Sequence, residues 1–424
     1  MVKVAKFGGS SLSCASGFEN VKEIIRSDAD RKIIVVSALG KRHSSDAKIT
    51  DLLINVCFCA KNGTNYKKEE DEIKSRYIET ARSLGVRLNE SADFSFLKDV
   101  SRLSCAYVVS RGEYLSAKIA AEYFGCSFVD AADVVRFDSN GNVDYTVSEK
   151  LFSQKVSGYP LVIPGFYGAF PNGEIKLFAR GGGDVTGAVL ARLVKADLYE
   201  NWTDVPGVMK ADPKIVPDAE VIPYLSYEQL RLLSSSGAGV MQEDAILPVK
   251  KAGISINVRG VKTPFCAGTV VSSQRKSAEK GVYGITGKRG VSVIRTVKHS
   301  DARRETALAD IMRVLEKHGV RIEIVRAGED AVTVIAAPSE RRAEAVVDEL
   351  RRLPVFFGVF YRDDLSLVTA LGAGAKDVSS ILNALEEKNV SVRFIDTSPS
   401  GERFTVAVDV SDYERALRAA YGAV

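Results

Sequence analysis

Two short glycine-rich segments, each following an apolar run and preceding an amphipathic stretch, constrain the fold more strongly than any other feature of the sequence. The first, residues 6–11, ends the apolar run 2–7, and the second, residues 180–184, follows the run 175–179. An apolar run, a glycine turn and a helical period in this order predict a strand, a tight turn and a helix. Strands that alternate with helices fold as layered α/β domains, so we expect a mostly parallel central sheet within residues 1–275.

Further apolar periods extend this alternation along the first domain. They predict strands at residues 32–38, 127–130, 161–163, 197–205 and 254–258, and helices at residues 18–27, 49–60, 114–124, 185–194, 227–233 and 245–252. The helix predicted from Tyr114 places Glu113 just before its first turn, where the helix dipole stabilises a carboxylate by about 0.3–1 kcal/mol. Charge complementarity at a helix N-terminus is therefore the alternative to a binding role for Glu113.

The last third of the chain contains an internal repeat. Residues 315–325 align with residues 385–395 at an offset of 70, and both copies read as the end of a helix, a turn and a strand. A second strand and a second helix follow in each copy, which predicts two ferredoxin-like βαββαβ domains, at residues 276–358 and 359–424. Because open sheet edges favour side-by-side pairing, we expect the two domains to pack together and to mediate dimerisation.

Composition and charge exclude several classes of protein. With 46% hydrophobic and 26% charged residues the composition is globular, and a formal net charge of +4 over 424 residues does not indicate a nucleic-acid partner. The sequence has no cleavable apolar leader and no apolar run long enough to span a membrane, and its six cysteines match neither zinc nor redox CxxC spacing. We therefore expect a cytoplasmic protein with free, mostly buried thiols, a small-molecule ligand, and neither a nucleic-acid nor a membrane partner.

Both glycine turns carry residues suited to anion binding. Lys6 precedes Gly8, Gly9 and Ser10 at a predicted strand end. Backbone N–H groups, the helix dipole and the ammonium group together suit a phosphate there, and an ordinary turn in an α/β sheet is the alternative. Arg180, at the second turn, suits a carboxylate through its two-pronged guanidinium, with a surface salt bridge as the alternative. No P-loop and no complete GxGxxG dinucleotide motif is present.

Six motifs follow one another along the chain. They are KFGGSS at 6–11, VSALG at 36–40, ITDLL at 49–53, SRGE at 110–113, ARGGGD at 179–184 and NWTDVPG at 201–207. In this order, and followed by a tandem repeat, they resemble the motifs of monofunctional aspartate kinases, whose C-terminal regulatory part is a pair of ACT domains. The resemblance spans essentially the whole chain and implies an amino-acid-kinase fold.

The resemblance also implies an activity and its regulation. The activity is phosphorylation of the side-chain carboxylate of L-aspartate by ATP with Mg²⁺, the first step of lysine, threonine and methionine biosynthesis. It implies feedback by lysine, threonine or both through the ACT domains. It further implies a homodimer, or a dimer of dimers, formed through those domains.

Site roles carry over to the residues at matching positions. The residues that would act in catalysis are Lys6 and Asp184. Those that would hold the transferred phosphoryl group are Lys6, Gly8, Gly9 and Ser10. Those that would bind aspartate are Ser37, Thr50, Glu113, Phe166 and Arg180. Those that would contact the nucleotide are Thr203, Asp204 and Lys214, and no residue is assigned as a metal ligand.

The chemistry of the acceptor explains this choice of residues. An aspartate side chain has a reference pKa near 3.9, so at pH 7 roughly a thousand molecules are ionised for each one that is not. The nucleophile therefore needs no general base. Catalysis would consist of aligning the carboxylate oxygen with the γ-phosphoryl group and neutralising the charge on the transferring oxygens.

The chain departs from the family pattern at four positions. Gly183 replaces a serine or threonine, Gly239 and Gln242 stand where many members have a lysine and a histidine, and Met209 replaces an aromatic residue. Because one lost donor costs about a hundred- to a thousandfold in rate, a catalytically weak amino-acid-binding regulatory subunit is an alternative function. A kinase for glutamate, acetylglutamate or carbamate is a third, although such relatives generally lack a tandem ACT pair.

Overall fold

The computed structural model of the chain describes residues 1–179, 181–241, 243–273, 281–337 and 340–424. These residues form two compact units. Unit 1 comprises Met1–Met209, Val221–Ser234 and Gly239–Ala278. Unit 2 comprises Lys210–Glu220, Ser235–Ala238 and Glu279–Val424.

Unit 1 contains ten strands and ten helices among its described residues. The strands are β1 Lys3–Phe7, β2 Arg31–Val36, β3 Ser127–Phe128, β4 Leu161–Pro164, β5 Tyr167–Ala169, β6 Ile175–Leu177, β7 Leu198–Thr203, β8 Tyr224–Ser226, β9 Ile256–Gly260 and β10 Thr269–Ser272. The helices are α1 Ala15–Arg26, α2 Ile49–Lys61, α3 Lys67–Ser83, α4 Glu90–Asp93, α5 Cys105–Phe124, α6 Ala131–Val134, α7 Tyr145–Lys155, α8 Gly182–Leu193, α9 Tyr227–Ser235 and α10 Glu243–Ala252.

Eight of these strands form one sheet in the order β3-β4-β2-β1-β7-β9-β10-β8, and β5 and β6 form a separate hairpin. All neighbouring pairs in the large sheet are parallel except β9 with β10. The central strands β2, β1 and β7 are buried along most of their length, as expected of a sheet covered on both faces. The predicted α/β class with a mostly parallel central sheet is confirmed.

One predicted helix boundary in unit 1 is wrong. Helix α5 begins at Cys105 rather than Tyr114, because Ser104 caps its N-terminus by accepting a hydrogen bond from the Tyr107 N–H. Glu113 therefore lies in the middle of a helix and not before its first turn. The helix continues through Gly112. Glycine at this position leaves room for Ala38, because a Cβ there would lie only 3.1 Å from the Cβ of Ala38.

Unit 2 contains six strands and four helices among its described residues. They are β11 Gly284–Lys298, α11 Arg304–Lys317, β12 Ile322–Ala327, β13 Ala331–Ala336, α12 Glu340–Arg351, β14 Phe356–Leu371, α13 Ala375–Glu387, β15 Val392–Thr397, β16 Arg403–Asp409 and α14 Tyr413–Gly422. Both copies of the predicted repeat are present, in a sheet ordered β12-β13-β11-β14-β16-β15.

The two copies share their longest strands. The second half of β11 pairs with β13 and with the first half of β14, while residues 284–288 of β11 pair with residues 367–371 of β14. The second copy therefore takes its fourth strand from the start of the first copy. The predicted boundary between residues 358 and 359 falls inside β14, so the copies are interleaved and not consecutive along the chain.

The copies pack through the sheet faces that carry no helices. Val291, Ile324, Leu365 and Ala407, from four different strands, meet there in one apolar cluster. Arg326 and Asp396, which occupy equivalent positions in the repeat at an offset of 70, form an ion pair at 3.1 Å. The expected packing of the two copies is confirmed, with a local twofold relationship between them.

Unit 2 also includes a segment that the sequence assigns to the first domain. The carbonyl of Lys210 accepts a hydrogen bond from the Ile285 N–H at 2.6 Å, and the carbonyl of Ile215 accepts one from the Arg418 guanidinium at 2.8 Å. The Glu220 N–H donates to the Tyr421 hydroxyl. These contacts place residues 210–220 in unit 2, in contrast to the predicted range 1–275.

Two expectations drawn from composition have mixed outcomes. The six cysteines are free, but only Cys57 is buried, so the expectation of mostly buried thiols is wrong. Among the residues that the structure describes, none of the helices combines the length and the apolar character that crossing a bilayer requires.

Candidate active site

The turn after β1 is held against the turn after β2 by direct backbone contact. A Cβ at Gly9 would lie 2.8 Å from the carbonyl oxygen of Ala38, and a Cβ at Gly40 would lie 2.1 Å from the carbonyl oxygen of Gly9. Only glycine permits this approach. The contact brings the phosphate-binding candidates Gly8 and Ser10 to the same edge of the sheet as the VSALG motif.

Lys6 and Asp184 join the two glycine turns. The Lys6 ammonium lies 2.6 Å from Asp184 Oδ1, and only 12% and 13% of the two side chains are exposed. Asp184 belongs to the first turn of α8, where the helix dipole stabilises a carboxylate. The left-handed conformation of Gly181, at φ 75°, ends the preceding loop and starts this helix. The two strand–glycine turn–helix units of the sequence therefore converge on one ion pair.

Ser37 adjoins this ion pair. A Cβ built at Gly183 would lie 2.9 Å from Ser37 Oγ and 3.3 Å from Lys6 Cε. A Cβ at Gly165, in turn, would lie 3.0 Å from the Cα of Gly183. Small residues thus bring the end of β2, the end of β4 and the start of α8 into contact around Lys6.

Glu113 faces the VSALG turn from the middle of α5. Its side chain is buried, and its Oε2 atom has no hydrogen-bond partner in the described part of the chain. Burial raises the pKa of Glu113 to about 7, and the backbone N–H of Ala38 limits the rise. A Cβ at Gly112 would lie 3.3 Å from Ile49, the residue before Thr50 on α2. A buried carboxylate oxygen without a hydrogen-bond partner can bind an ammonium group of a ligand, which would supply that partner.

Phe166 lies against the start of α8 in a strained conformation. Its φ is 80°, which non-glycine residues rarely adopt. Two hydrogen bonds hold it there: its N–H donates to Thr186 Oγ1 at 2.8 Å, and its carbonyl accepts from the Phe178 N–H at 2.8 Å. The ring leaves no room for a side chain at Gly182, since a Cβ there would lie 2.5 Å from Phe166 Cδ2. Strain retained in this way is typical of functional positions.

Thr203 is the last residue of β7, which lies beside β1 in the sheet, and Asp204 follows it. Because β1 and β7 are parallel, these residues lie at the sheet edge that carries Gly8 and Ser10. The Thr203 hydroxyl donates to Asp204 Oδ1 at 3.1 Å.

Lys214, a nucleotide-binding candidate, is exposed and lies in segment 210–220 of unit 2. Arg180 is outside the described residues, as is Gln242.

Sequence reasoning missed the residue that anchors the loop from 40 to 48. The Arg76 side chain is buried, and its guanidinium donates to the carbonyl oxygens of Gly40 and Ala47 and lies near Asp46. Arg76 thereby holds Gly40 in contact with Gly9, and it holds Ala47 just before α2, the helix that carries Thr50. The charge run at residues 67–72, earlier on the same helix, predicts a solvated helix face, so no local signal marked Arg76.

The Mg²⁺ ion predicted to accompany ATP does not require a complete set of protein ligands. Within the described residues, no group of three or more histidine, cysteine or acidic side chains is arranged to hold a metal ion. Mg²⁺ bound to a nucleotide takes phosphate and water oxygens with one or two carboxylates. Asp184, a largely buried carboxylate where the two turns meet, fits that requirement.

Comparisons with known proteins show the family to which the chain belongs. The family model described as "Amino acid kinase family" matches residues 1–260. Aspartokinase 3 of Bacillus subtilis is 30% identical, covering 99% of this chain and 98% of its own. The crystal structure of Clostridium acetobutylicum aspartate kinase has 37% identity and a TM-score of 0.89, with both chains covered completely.

Aspartokinase III of Escherichia coli, solved with aspartate and ADP and again with lysine and aspartate, shares the fold. Its identity to this chain is 20% and 19%, and its TM-score 0.82 and 0.79, in the two structures. Coverage is complete for both chains in the first structure and 99% for both in the second. The chain belongs to the amino acid kinase family and, within it, to the aspartokinases, the kinases that act on aspartate.

Proposed function

We propose that the protein transfers the γ-phosphoryl group of ATP to the side-chain carboxylate of L-aspartate, giving 4-phospho-L-aspartate. The observation that carries this proposal is the Lys6–Asp184 pair, largely buried where two glycine turns meet. A cation, backbone N–H groups and a helix N-terminus together stabilise the charge on transferring phosphoryl oxygens. ADP bound in the Escherichia coli relative supports ATP as the donor.

The aspartate would lie between Glu113 and the start of α8. The buried Glu113 carboxylate would bind the substrate ammonium group, and Arg180 would clamp a carboxylate through two hydrogen bonds. Thr50 and Ser37 would contribute hydroxyl groups, and Phe166 would form a wall. The substrate's side-chain carboxylate arrives ionised, so the site needs to orient it rather than deprotonate it.

The phosphoryl side of the site would use the first glycine turn. Lys6 would neutralise charge on the transferring oxygens, while N–H groups of Gly8, Gly9 and Ser10 would hold them in place. Thr203, Asp204 and Lys214 would contact the remainder of the nucleotide. Mg²⁺, held by the phosphates and by Asp184, would supply further charge neutralisation when bound.

Unit 2 would regulate the activity. We infer that its interleaved copies are a pair of ACT domains that bind lysine, threonine or both and mediate a homodimer or a dimer of dimers in the cytoplasm. The lysine complex of the Escherichia coli relative supports lysine as an effector. The turn before α11, at residues 299–303, contains no glycine to admit an effector carboxylate closely, which favours the second copy for binding.

Trapping the product with hydroxylamine tests the proposal. Purified protein with ATP, Mg²⁺ and L-aspartate should form aspartyl hydroxamate, whereas Asp184→Ala should not. Equal signals from both proteins would contradict the proposal. Calorimetric binding of aspartate without ATP turnover would instead support the regulatory-subunit alternative, and turnover with glutamate but not aspartate would support a different amino-acid kinase.

A further inference from the structure

Helices α2 and α5 pack against each other along residues that recur at helical spacing. Ile49, Leu53 and Cys57 follow one another at intervals of four on α2 and therefore share one face of that helix. A Cβ at Gly112 of α5 would lie 3.2 Å from Leu53 Cδ1 and 3.3 Å from Ile49 Cγ2. Cys105 precedes Gly112 by seven residues, so it lies on the same face of α5, about two turns away. The two helices are thus antiparallel, and Cys57 lies opposite Cys105.

The thiols of Cys57 and Cys105 meet at one end of this helix contact. The Cys57 thiol donates to the Cys105 carbonyl oxygen at 3.9 Å and lies within hydrogen-bonding reach of the Cys105 thiol. Both thiols are free, and Cys57 is buried whereas Cys105 is partly exposed. The pair therefore combines a thiol that an oxidant in solution can reach with a second thiol in contact with the first.

The two thiols are suited to different steps of an oxidation. The thiolate is the reactive form of cysteine, and Cys105 is the first residue of α5, where the helix dipole stabilises an anion. Burial raises the pKa of Cys57 to about 12, so this thiol keeps its proton until its neighbour has reacted. Cys105 would therefore react with the oxidant, and Cys57 would complete a disulfide.

We propose that Cys57 and Cys105 form a reversible disulfide in response to a peroxide, and that this bond ties α2 to α5 and lowers activity toward aspartate. The Cys105 thiolate attacks one peroxide oxygen and the O–O bond breaks, which leaves a sulfenic acid on Cys105 and a hydroxide that takes up a proton as water. The Cys57 sulfur then attacks the Cys105 sulfur and displaces a second hydroxide, which leaves as water with the Cys57 proton. The two thiols lose two electrons and the peroxide gains them.

The effect on activity follows from what the two helices carry, and it rests on the proposed function. Thr50 directly follows Ile49 on α2, and Glu113 directly follows Gly112 on α5, so both candidate aspartate ligands lie at the other end of the same contact. Because bonded sulfur atoms lie closer together than two thiols in contact, the disulfide would draw the helices together at one end and change their mutual tilt. A displacement of about 1 Å among groups that position a substrate can cost about a hundredfold in rate.

Peroxide treatment of the full chain, followed by peptide mapping without reductant, tests whether the bond forms. We expect a cross-linked peptide that contains Cys57 and Cys105, with the mass of two hydrogen atoms lost, and its disappearance on treatment with dithiothreitol. Cys105→Ser and Cys57→Ala should each abolish it. Cys59→Ala is the matched control, because Cys59 lies on the same helix but its thiol contacts Asn55, and this variant should form the cross-link as the wild type does.

Hydroxamate formation before and after oxidation tests the effect on the site. In the cross-linked protein kcat/KM for aspartate should fall at least about tenfold, with the KM for ATP unchanged, and dithiothreitol should restore it. Cys105→Ser should keep its kcat/KM for aspartate through the same peroxide treatment, and thermal melting of the variants reports folding.

Three results would overturn the proposal: no cross-linked peptide in the oxidised wild type, an unchanged kcat/KM for aspartate in the cross-linked protein, or equal inactivation of Cys105→Ser by peroxide. A reduced wild-type protein that forms no aspartyl hydroxamate would instead reject the proposed function. Peptide mapping is independent of activity, so the two failures are distinguishable.

Discussion

Two charged pairs in the central sheet of unit 1 are buried more deeply than the charged pair that relates the two copies in unit 2. In unit 1, Arg31 and Glu200 lie 2.6 Å apart with only 4% and 1% of their side chains exposed, and the Lys6–Asp184 pair is nearly as protected. In unit 2, the pair that relates the two copies leaves 52% of the Arg326 side chain exposed.

This difference in burial indicates which charged pairs are required by the fold or by function. Taking ions out of water costs several kcal/mol each, so a buried pair persists only where its geometry is good or a function requires it. Arg31 and Glu200 link the strands on either side of β1, and the Trp202 indole N–H also donates to Glu200. Among the described residues, no further side-chain hydrogen bond supports the Lys6–Asp184 pair, which lies at a strand end, where a ligand can replace one partner. Exposed pairs in unit 2 contribute little.

The largest effect should come from Lys6→Met. Removing the ammonium group leaves Asp184 unpaired and the transferring phosphoryl group without its cation, so kcat should fall by at least about a thousandfold. Lys3→Met is the matched control, since Lys3 lies on the same strand and pairs with Asp28 at the same 2.6 Å. Steady-state kinetics should show near-normal kcat for the control. Equal losses in both variants would mean that the Lys6 pair is structural.

A stability measurement addresses the other buried pair. Arg31→Met should lower the free energy of unfolding of unit 1 by about 3 kcal/mol, because Glu200 remains buried and keeps the Trp202 indole N–H and the more distant Arg259, at 3.7 Å, but loses its close cation. Trp202 is the one tryptophan in the chain, so its fluorescence in a urea titration reports on unit 1 alone. Exposed Arg26→Met is the control and should change little. A loss below about 1 kcal/mol would show that burial does not distinguish the two units.

The raised pKa of Glu113 predicts that both stability and kcat/KM for aspartate depend on pH. Its pKa near 7 means that the folded protein binds a proton that the unfolded chain releases near 4.5, so this group's contribution to stability falls as pH rises from 4.5 to 7. Binding of the substrate ammonium group needs the ionised form. The value of kcat/KM for aspartate should therefore rise about tenfold per pH unit up to about pH 7 and then level off.

Glu113→Gln should remove that step and lower kcat/KM at pH 8. Glu122→Gln, on the exposed face of the same helix, is the control and should retain the step. A pH profile unchanged in Glu113→Gln would exclude Glu113 as the ammonium ligand.

Local patterns in the sequence predicted most of the fold. The strand–glycine turn–helix units around Lys6 and Asp184 and the repeated motif at 315–325 depend on neighbouring residues, and both are present in the structure. The predicted start of α5, at Tyr114, was wrong because a glycine such as Gly112 is typical of a helix boundary. Its role is to admit Ala38, which lies far away in the sequence, and no local pattern contains that contact.

Long-range contacts also explain the remaining differences. The sharing of β11 and β14 depends on a register between strands about 70 residues apart, and the membership of residues 210–220 in unit 2 depends on hydrogen bonds to Ile285 and Arg418. The burial of Arg76 likewise depends on carbonyl groups about 30 residues away. Periodicity reports which face of an element is apolar but not what that face meets.

The smallest effect should come from the exposed pair of unit 2. Arg326→Ala should change the free energy of unfolding by less than about 1 kcal/mol, because the arginine is half exposed and Asp396 keeps Arg403 at 3.4 Å. Differential scanning calorimetry of the full chain would record it as a shift of the unit 2 transition. Asp396→Ala, which removes the shared partner of both arginines, should cost more than Arg326→Ala. If Arg326→Ala instead costs over 2 kcal/mol, the pair fixes the register between the two copies, and exposure is not a guide to the importance of charge in this unit.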